Sequence, residues 1–364
     1  MNIKAQKILV IAGGTGGHIF PALAVAEALT AQGVTVEWMG AETGMEKKLV
    51  SERYPIHFLP VKGMRGKNLT AKIVGFFYLL RAFMRAIRII LKINPDAVLG
   101  MGGYASGPGG MAAWLLRKKL VIHEQNAKAG LTNRILARFA AKTYQAFPDA
   151  LPKAETVGNP VRAVIRLIAH PQNYYQQRQE PWRILILGGS QGARFINQLL
   201  MDFVLTFEDR QSLLLWHQTG VHDFEKVKSS YAQHENFPHR IAPFIEKIEE
   251  AYAWADCVIA RAGALTVSEV ATVGLPTIFI PFPAAVDDHQ YYNAKFIASK
   301  GGGVVFRESE ITVKKLEDCL KTQFLSKAQL EKMSQGAQQA ASPNATERVI
   351  EGLLVNPRVG RIRA

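Results

Sequence analysis

Cysteine is nearly absent from this chain: Cys257 and Cys319 are the only two in 364 residues. Two cysteines cannot build a disulfide framework, and their scarcity suits a reducing cytoplasm. No uninterrupted apolar run approaches the roughly 20 residues that a bilayer-spanning helix needs. The start does not read as a secretory signal, because Ile8-Leu9-Val10-Ile11-Ala12 breaks into glycines too soon. Acidic residues are missing altogether from 53 to 95, where Arg53, Lys62, Arg65, Lys67, Lys72, Arg81, Arg85, Arg88 and Lys92 stand. The chain is 48% hydrophobic with a net charge of +14, which reads as globular with an anionic partner. Its length favours two domains over one core.

The most informative stretch is Lys7-Ile8-Leu9-Val10-Ile11-Ala12-Gly13-Gly14-Thr15-Gly16-Gly17-His18. A short apolar run, a glycine loop and a helical pattern over 21–31 read as strand, loop and helix. Such a loop lets backbone approach a ligand, and the helix N-terminus favours an anion. The dinucleotide fingerprint is excluded, since Ile19 stands where its third glycine belongs. The nucleoside-triphosphate loop is excluded too, since His18-Ile19 replaces its Lys-Ser/Thr. His18 sits where a titratable group would face a bound ligand.

The same grammar recurs along the chain. Gly100-Met101-Gly102-Gly103-Tyr104 opens a helix over 111–116, and Leu120-Val121-Ile122 ends in His123-Glu124-Gln125-Asn126. In an open α/β sheet such residues line the ligand crevice at the carboxyl ends of strands. The polar segment 170–181 lacks periodicity and reads as a linker or surface connection, near the middle of the chain where a domain boundary is expected. Beyond it Arg183-Ile184-Leu185-Ile186-Leu187-Gly188-Gly189-Ser190-Gln191-Gly192-Ala193 repeats the opening motif about half a chain later. Arg261-Ala262-Gly263-Ala264-Leu265-Thr266-Val267-Ser268-Glu269 makes a further anion-type junction, with Glu269 able to accept from a sugar hydroxyl. Asp287, Asp288 and His289 are contiguous and cannot easily converge, so no metal site is expected.

The basic segment from 62 to 92 has a second character. Ile73, Phe76, Phe77, Leu80, Phe83, Met84 and Ile87 recur at helical spacing, and Arg81, Arg85, Arg88 and Lys92 share another face. Aromatics beside a basic stripe suit an anionic lipid surface, with 69–77 dipping into lipid. The alternative is an amphipathic helix packed on its own domain with a solvated basic face. Nucleic acid is not expected, because no reader motif accompanies the charge.

Six of these motifs stand in the order of a known family: Gly13 to His18, Gly100 to Tyr104, His123 to Asn126, Gly158-Asn159-Pro160-Val161-Arg162, Gly188 to Ala193 and Arg261 to Glu269. From Lys7 to about Arg348 the chain resembles the MurG family of bacterial peptidoglycan N-acetylglucosaminyltransferases. The resemblance implies an α/β GT-B fold, two Rossmann-like doubly wound domains facing across a cleft. It places an acceptor and membrane-associated domain at 1–163, with a C-terminal helix at about 341–364 packing back on it. A domain binding the UDP-sugar then occupies 164–340. The implied reaction moves N-acetylglucosamine from UDP-N-acetylglucosamine to the 4-hydroxyl of undecaprenyl-diphosphoryl-N-acetylmuramoyl pentapeptide. It inverts the anomeric carbon, gives a β-1,4 link and releases UDP, peripherally at the cytoplasmic face of the inner membrane. Cell-wall synthesis proteins are then natural partners, and cell shape and division depend on the product.

The resemblance also assigns residues. Ile245 would read uracil through its backbone, and Glu269 the ribose. Ser190, Gln191 and the turn Ala264-Leu265-Thr266, with Val267 and Ser268, would take the donor diphosphate. Gln290 and Asn293 would hold the sugar, and Arg162 would close the pocket. Thr15, Gly16 and Gly17, with Gly14, Gly102, Gly103 and Tyr104, would face the acceptor diphosphate, and Asn126 the reacting centre. Phe76, Phe77, Leu80, Arg81, Arg85 and Arg88 would meet the membrane. No cofactor is expected, because helix N-termini can stabilise departing UDP without a metal. The base is expected to be His18, with Glu124 the rival. Two other readings remain: a UDP-N-acetylglucosamine epimerase, and a nucleotide-binding regulatory or membrane-tethering protein.

Overall fold

The computed structural model describes residues 6–42, 44–61, 69–189, 192–233 and 238–354, without the side chains of 69–74 and 172. The chain forms two compact units, one running to Arg162 and resuming at Asn344, the other Ala163–Pro343.

The first unit is built on a seven-stranded sheet in the order β3-β2-β1-β4-β5-β6-β7. Its strands are β1 (Lys7–Ile11), β2 (Thr35–Ala41), β3 (Ile56–Leu59), β4 (Ala97–Gly100), β5 (Lys119–Glu124), β6 (Lys142–Gln145) and β7 (Glu155–Thr156). Every pairing is parallel, so both faces must be covered. The alternation along β1 shows how. Ile8 and Val10 pack with the helices Gly16–Ala31 and Ala345–Leu353 through Ile19, Leu23, Val349 and Leu353. Leu9 and Ile11 pack on the other face with Ala82, Ala86 and Ile90 of the helix Leu69–Ile93. Each such aliphatic side chain, fully buried, contributes about 1.5–3 kcal/mol.

The second unit repeats the plan with six strands in the order β10-β9-β8-β11-β12-β13. These are β8 (Trp182–Leu187), β9 (Leu213–Gln218), β10 (His239–Ala242), β11 (Cys257–Ala260), β12 (Thr277–Phe279) and β13 (Gly303–Val305). In both sheets the chain winds outward from one central strand, then returns to its other side. The switch point therefore lies between β1 and β4 in the first unit and between β8 and β11 in the second.

Two expectations need correction. The first helix starts at Gly16, five residues before Pro21, which is accommodated inside it at the expense of one backbone hydrogen bond. The segment 170–181 is part of the second unit rather than a linker at its boundary. It contains a short helix, Gln172–Tyr175; Tyr175 is fully buried and its hydroxyl donates to the carbonyl of Asp256 at 2.7 Å. Arg178 Nε donates to Asp256 Oδ1 at 2.6 Å, yet burial still holds the Asp256 carboxyl above its ordinary range. On the helix Leu69–Ile93 the core-facing stripe is made by Ala82, Ala86, Ile90 and Ile93, with Phe83 and Ile87 partly buried against the same core. Phe76 and Phe77 stay 62% and 63% exposed, and Leu80 and Met84 are exposed with them.

Candidate active site

In the first unit, the loops after β1 and β4 meet at the switch point. Their approach is backbone to backbone: a Cβ on Gly103 would lie 2.3 Å from the carbonyl oxygen of Gly13, and its φ is +81°. Only glycine fits there. Thr15 is the N-cap of the helix Gly16–Ala31, in extended conformation, and its exposed hydroxyl makes no capping bond. The amides of His18 and Ile19 turn back to the Thr15 carbonyl, so Gly16 and Gly17 present the outward N–H groups of the first turn. Tyr104 is 58% exposed beside Gly102 and Gly103.

Gly14 departs from its expected role. Its N–H donates to Oε1 of Glu46 at 3.1 Å, and the same oxygen accepts from Ala41 N at 2.9 Å. The N–H is engaged within the protein and is not offered to a phosphate. Glu46 is completely buried, and its other oxygen, Oε2, has no hydrogen-bond partner among the described residues. It carries no sequence pattern that marks it, because its partners come from the first and second strand ends.

His18 lies against Gly102, where a Cβ would come within 3.0 Å of the imidazole Cε1. Its Nδ1 is 2.8 Å from Gln125 Oε1. The polar residues after β5 are not a solvated rim: His123, Glu124 and Gln125 are all buried. Glu124 Oε1 accepts from Asn126 N and Nδ2 at 3.0 and 3.3 Å. Its Oε2 accepts from Gly130 N and Asn133 Nδ2 at 3.2 and 2.8 Å. With both oxygens occupied, this carboxylate shapes the 124–130 loop and is poorly placed to collect a proton. Arg162 packs its guanidinium 5.1 Å from the centre of the Phe20 ring.

In the second unit, the loop after β8 is pinned by Gly192, where a Cβ would lie 2.5 Å from the carbonyl oxygen of Thr219. Ser190 and Gln191 lie outside the described residues. Gln218, at the end of β9, donates from Nε2 to Gly189 O at 3.0 Å and accepts the N–H of Ile245 at 3.3 Å. The Ile245 N–H is therefore engaged within the protein. Gln218 was legible as the last polar residue of its strand, but its pairing was not.

The helix Ala264–Val273 begins at β11 with Gly263 as N-cap. Val267 N returns to the Gly263 carbonyl, and the N–H groups of Leu265 and Thr266 belong to the outward-pointing first turn. Val267 is 1% exposed, so its side chain is core. Ser268 Oγ donates to Ala264 O at 2.9 Å, so its proton is spent inside the helix. Glu269 is buried, and its Oε2 accepts from the Tyr252 hydroxyl at 2.9 Å. Gln290 Oε1 accepts from Phe282 N at 2.9 Å, bracing the 282–290 loop. Asn293 has no exposed surface, and its Nδ2 donates to Ala262 O at 3.2 Å. This bond ties it to the loop after β11. Among the described residues no three His, Cys, Asp or Glu side chains gather as metal ligands, and no helix is long and apolar enough to cross a membrane.

Two parallel α/β units, each with glycine loops and helix N-termini at its switch point, form the GT-B fold of glycosyltransferases. Residues 8–145 match the glycosyltransferase family 28 N-terminal domain, and 183–349 match its C-terminal domain. A Coxiella burnetii UDP-N-acetylglucosamine–N-acetylmuramyl-(pentapeptide) pyrophosphoryl-undecaprenol N-acetylglucosamine transferase is 45% identical over 348 residues, 95% of this chain and 97% of that protein. The enzyme of the same name from Cellvibrio japonicus is 47% identical over 354 residues, with the same coverage of 95% and 97%. The crystal structure of Acinetobacter baumannii MurG, 39% identical, superposes with a TM-score of 0.82 over 96% of this chain and 99% of its own. The chain belongs to glycosyltransferase family 28 and, within it, to the MurG family.

Proposed function

We propose that this chain transfers N-acetylglucosamine from UDP-N-acetylglucosamine to the 4-hydroxyl of a muramyl pentapeptide carried on a lipid diphosphate. One observation carries the reading beyond family membership: each sheet has its own pair of anion-type loops at its switch point. A reaction between two diphosphate-bearing substrates needs two such sites. The first unit, residues 1–163 with the returning C-terminal helix, takes the acceptor diphosphate on Thr15, Gly16, Gly17 and Gly103. The second takes the donor, its diphosphate on the amides of Ala264, Leu265 and Thr266 and its ribose on Glu269.

In the transfer, the acceptor oxygen forms the new bond to the anomeric carbon as the bond to the β-phosphate breaks. The electron pair leaves with UDP, where first-turn amides stabilise the growing negative charge without a metal. The acceptor proton passes to His18, and attack opposite the leaving group inverts the centre. The saturated hydrogen bonding of Glu124 favours His18 over it. The exposed Phe76, Phe77 and Leu80, flanked by exposed Arg81, Arg85 and Arg88, support peripheral docking on an anionic membrane. The cytoplasmic face of the inner membrane, where peptidoglycan precursors are lipid-linked, is the setting.

The test is UDP release from UDP-N-acetylglucosamine with and without the lipid-linked muramyl acceptor. Acceptor-dependent release is expected. Consumption without acceptor, or none with both substrates, would overturn the reading.

A further inference from the structure

Behind His18 runs a chain of side chains that the reaction as described does not use. His123 Nε2 lies 2.8 Å from the carbonyl oxygen of Gly158. A carbonyl only accepts, so Nε2 carries a proton. Burial lowers the His123 pKa to about 4, so this ring is neutral near pH 7 and its Nδ1 is a lone pair. That lone pair faces Gln125 Nε2 at 3.1 Å, and the same amide nitrogen also reaches His123 O at 3.1 Å. The two amide protons of Gln125 thus have two close acceptors, with the Met101 Sδ at 3.9 Å a third and weaker one. Turned over, the amide would set its oxygen against both of them, so its orientation is forced by the donors and acceptors around it. Its oxygen then points at His18 Nδ1, 2.8 Å away, and accepts from it.

We propose that Gln125, oriented by His123 and the Gly158 carbonyl, is a positioning residue that holds the His18 proton on Nδ1 and leaves Nε2 as the proton acceptor. The logic is that of a buried group holding a catalytic imidazole in one tautomer, here done by a neutral amide. A neutral partner has a consequence of its own. It fixes the tautomer without the added charge that would stabilise an imidazolium, so the proton taken from the acceptor hydroxyl is readily released again. The inference rests on the transferase reading for what His18 does, but the tautomer can be read independently of it.

The experiment is nitrogen NMR of the full chain labelled with 15N-histidine, with His18 assigned by its loss in His18→Asn. The expected result is a protonated Nδ1 and a lone-pair Nε2 in the unliganded protein. Gln125→Met, close in volume but without the relay, is expected to lose that preference. Its kcat should fall about 100-fold, the scale of a displaced general base, while KM for the donor stays near its original value. A proton on Nε2 of His18 in the wild-type chain would overturn the proposal, and needs no variant to fold. So would Gln125→Met with unchanged tautomer and unchanged kcat. An intact Nδ1–H tautomer in a chain that releases no UDP with both substrates supports the relay while overturning the transferase reading.

Discussion

Oε1 of Glu46 accepts the backbone N–H groups of both Gly14 and Ala41, at 3.1 and 2.9 Å. One buried carboxylate oxygen thus ties the first glycine loop to the end of the second strand. Glu46→Ala would leave two amides unpaired and a void beneath Gly13, costing about 2–4 kcal/mol. Glu46→Gln keeps an acceptor oxygen and should recover most of that loss. Urea unfolding followed through Trp38, whose indole donates to the neighbouring Ala12 carbonyl at 2.9 Å, reads the difference. Equal stability of the two variants would show that the loop does not depend on this acceptor.

The Tyr252 hydroxyl donates to Glu269 Oε2 at 2.9 Å, so the carboxylate proposed to take the ribose is aimed by a buried phenol. Tyr252→Phe removes that bond with little change of volume. The KM for UDP-N-acetylglucosamine should rise roughly tenfold, the worth of one hydrogen bond to a charged group, with kcat held. Calorimetry with UDP alone should show the same weakening. A fall in kcat with KM unchanged would separate Glu269 from ribose recognition.

Both residues show where reading along the chain stops. The strands were legible because a parallel strand buried on both faces is a short apolar run, and the glycine loops because they punctuate it. Glu46 and Tyr252 were not, nor was the pairing of Gln218, since each finds its partners on other segments. Tyr175 sits in a polar stretch and is core only because β11 begins beside it. On the helix Leu69–Ile93 the spacing showed an apolar stripe but not how it divides: Phe76, Phe77 and Leu80 stay exposed, while Ala82, Ala86, Ile90 and Ile93, with Phe83 and Ile87 beside them, face the sheet. Asn293, Val267 and Ser268 lie within the motifs, but the bonds of Asn293 and Ser268 to Ala262 O and Ala264 O and the burial of Val267 could not be read along the chain.

Two buried imidazoles set the acid sensitivity of the units. Burial lowers His123 to about 4 and His217 to about 3, against 6.5 for a free histidine. Between those values the unfolded chain binds the proton and the folded chain does not. Stability is therefore whole above about pH 6.5 and falls as the pH drops, by roughly 2 kcal/mol for each histidine at pH 5. His217 contacts the Tyr231 hydroxyl at 3.1 Å and Asn197 Oδ1 at 3.0 Å, which a glutamine can meet in part. His217→Gln should flatten the decline of second-unit stability between pH 7.5 and 5. Denaturation curves across that range check it, and an unchanged slope would refute the assignment to His217.

On the helix Leu69–Ile93, exposed Phe76, Phe77 and Leu80 precede Arg81, Arg85 and Arg88, also exposed. The two groups are expected to act on a membrane in different ways. Near an anionic surface each arginine contributes about 1 kcal/mol, screened by salt within about 10 Å at 0.1 M. Reversing Arg81, Arg85 and Arg88 to Glu should weaken binding to phosphatidylglycerol vesicles at least tenfold and abolish its salt dependence. Arg85 also pairs with Glu42 at 3.1 Å, but both side chains are about half exposed, so losing that pair costs little stability. Serine at Phe76, Phe77 and Leu80 should weaken binding equally at low and high salt, because the apolar contribution is not screened. Vesicle sedimentation at 50 and 500 mM salt separates the two. If both variants bind as the original does, this helix only packs on its own sheet and docking lies elsewhere.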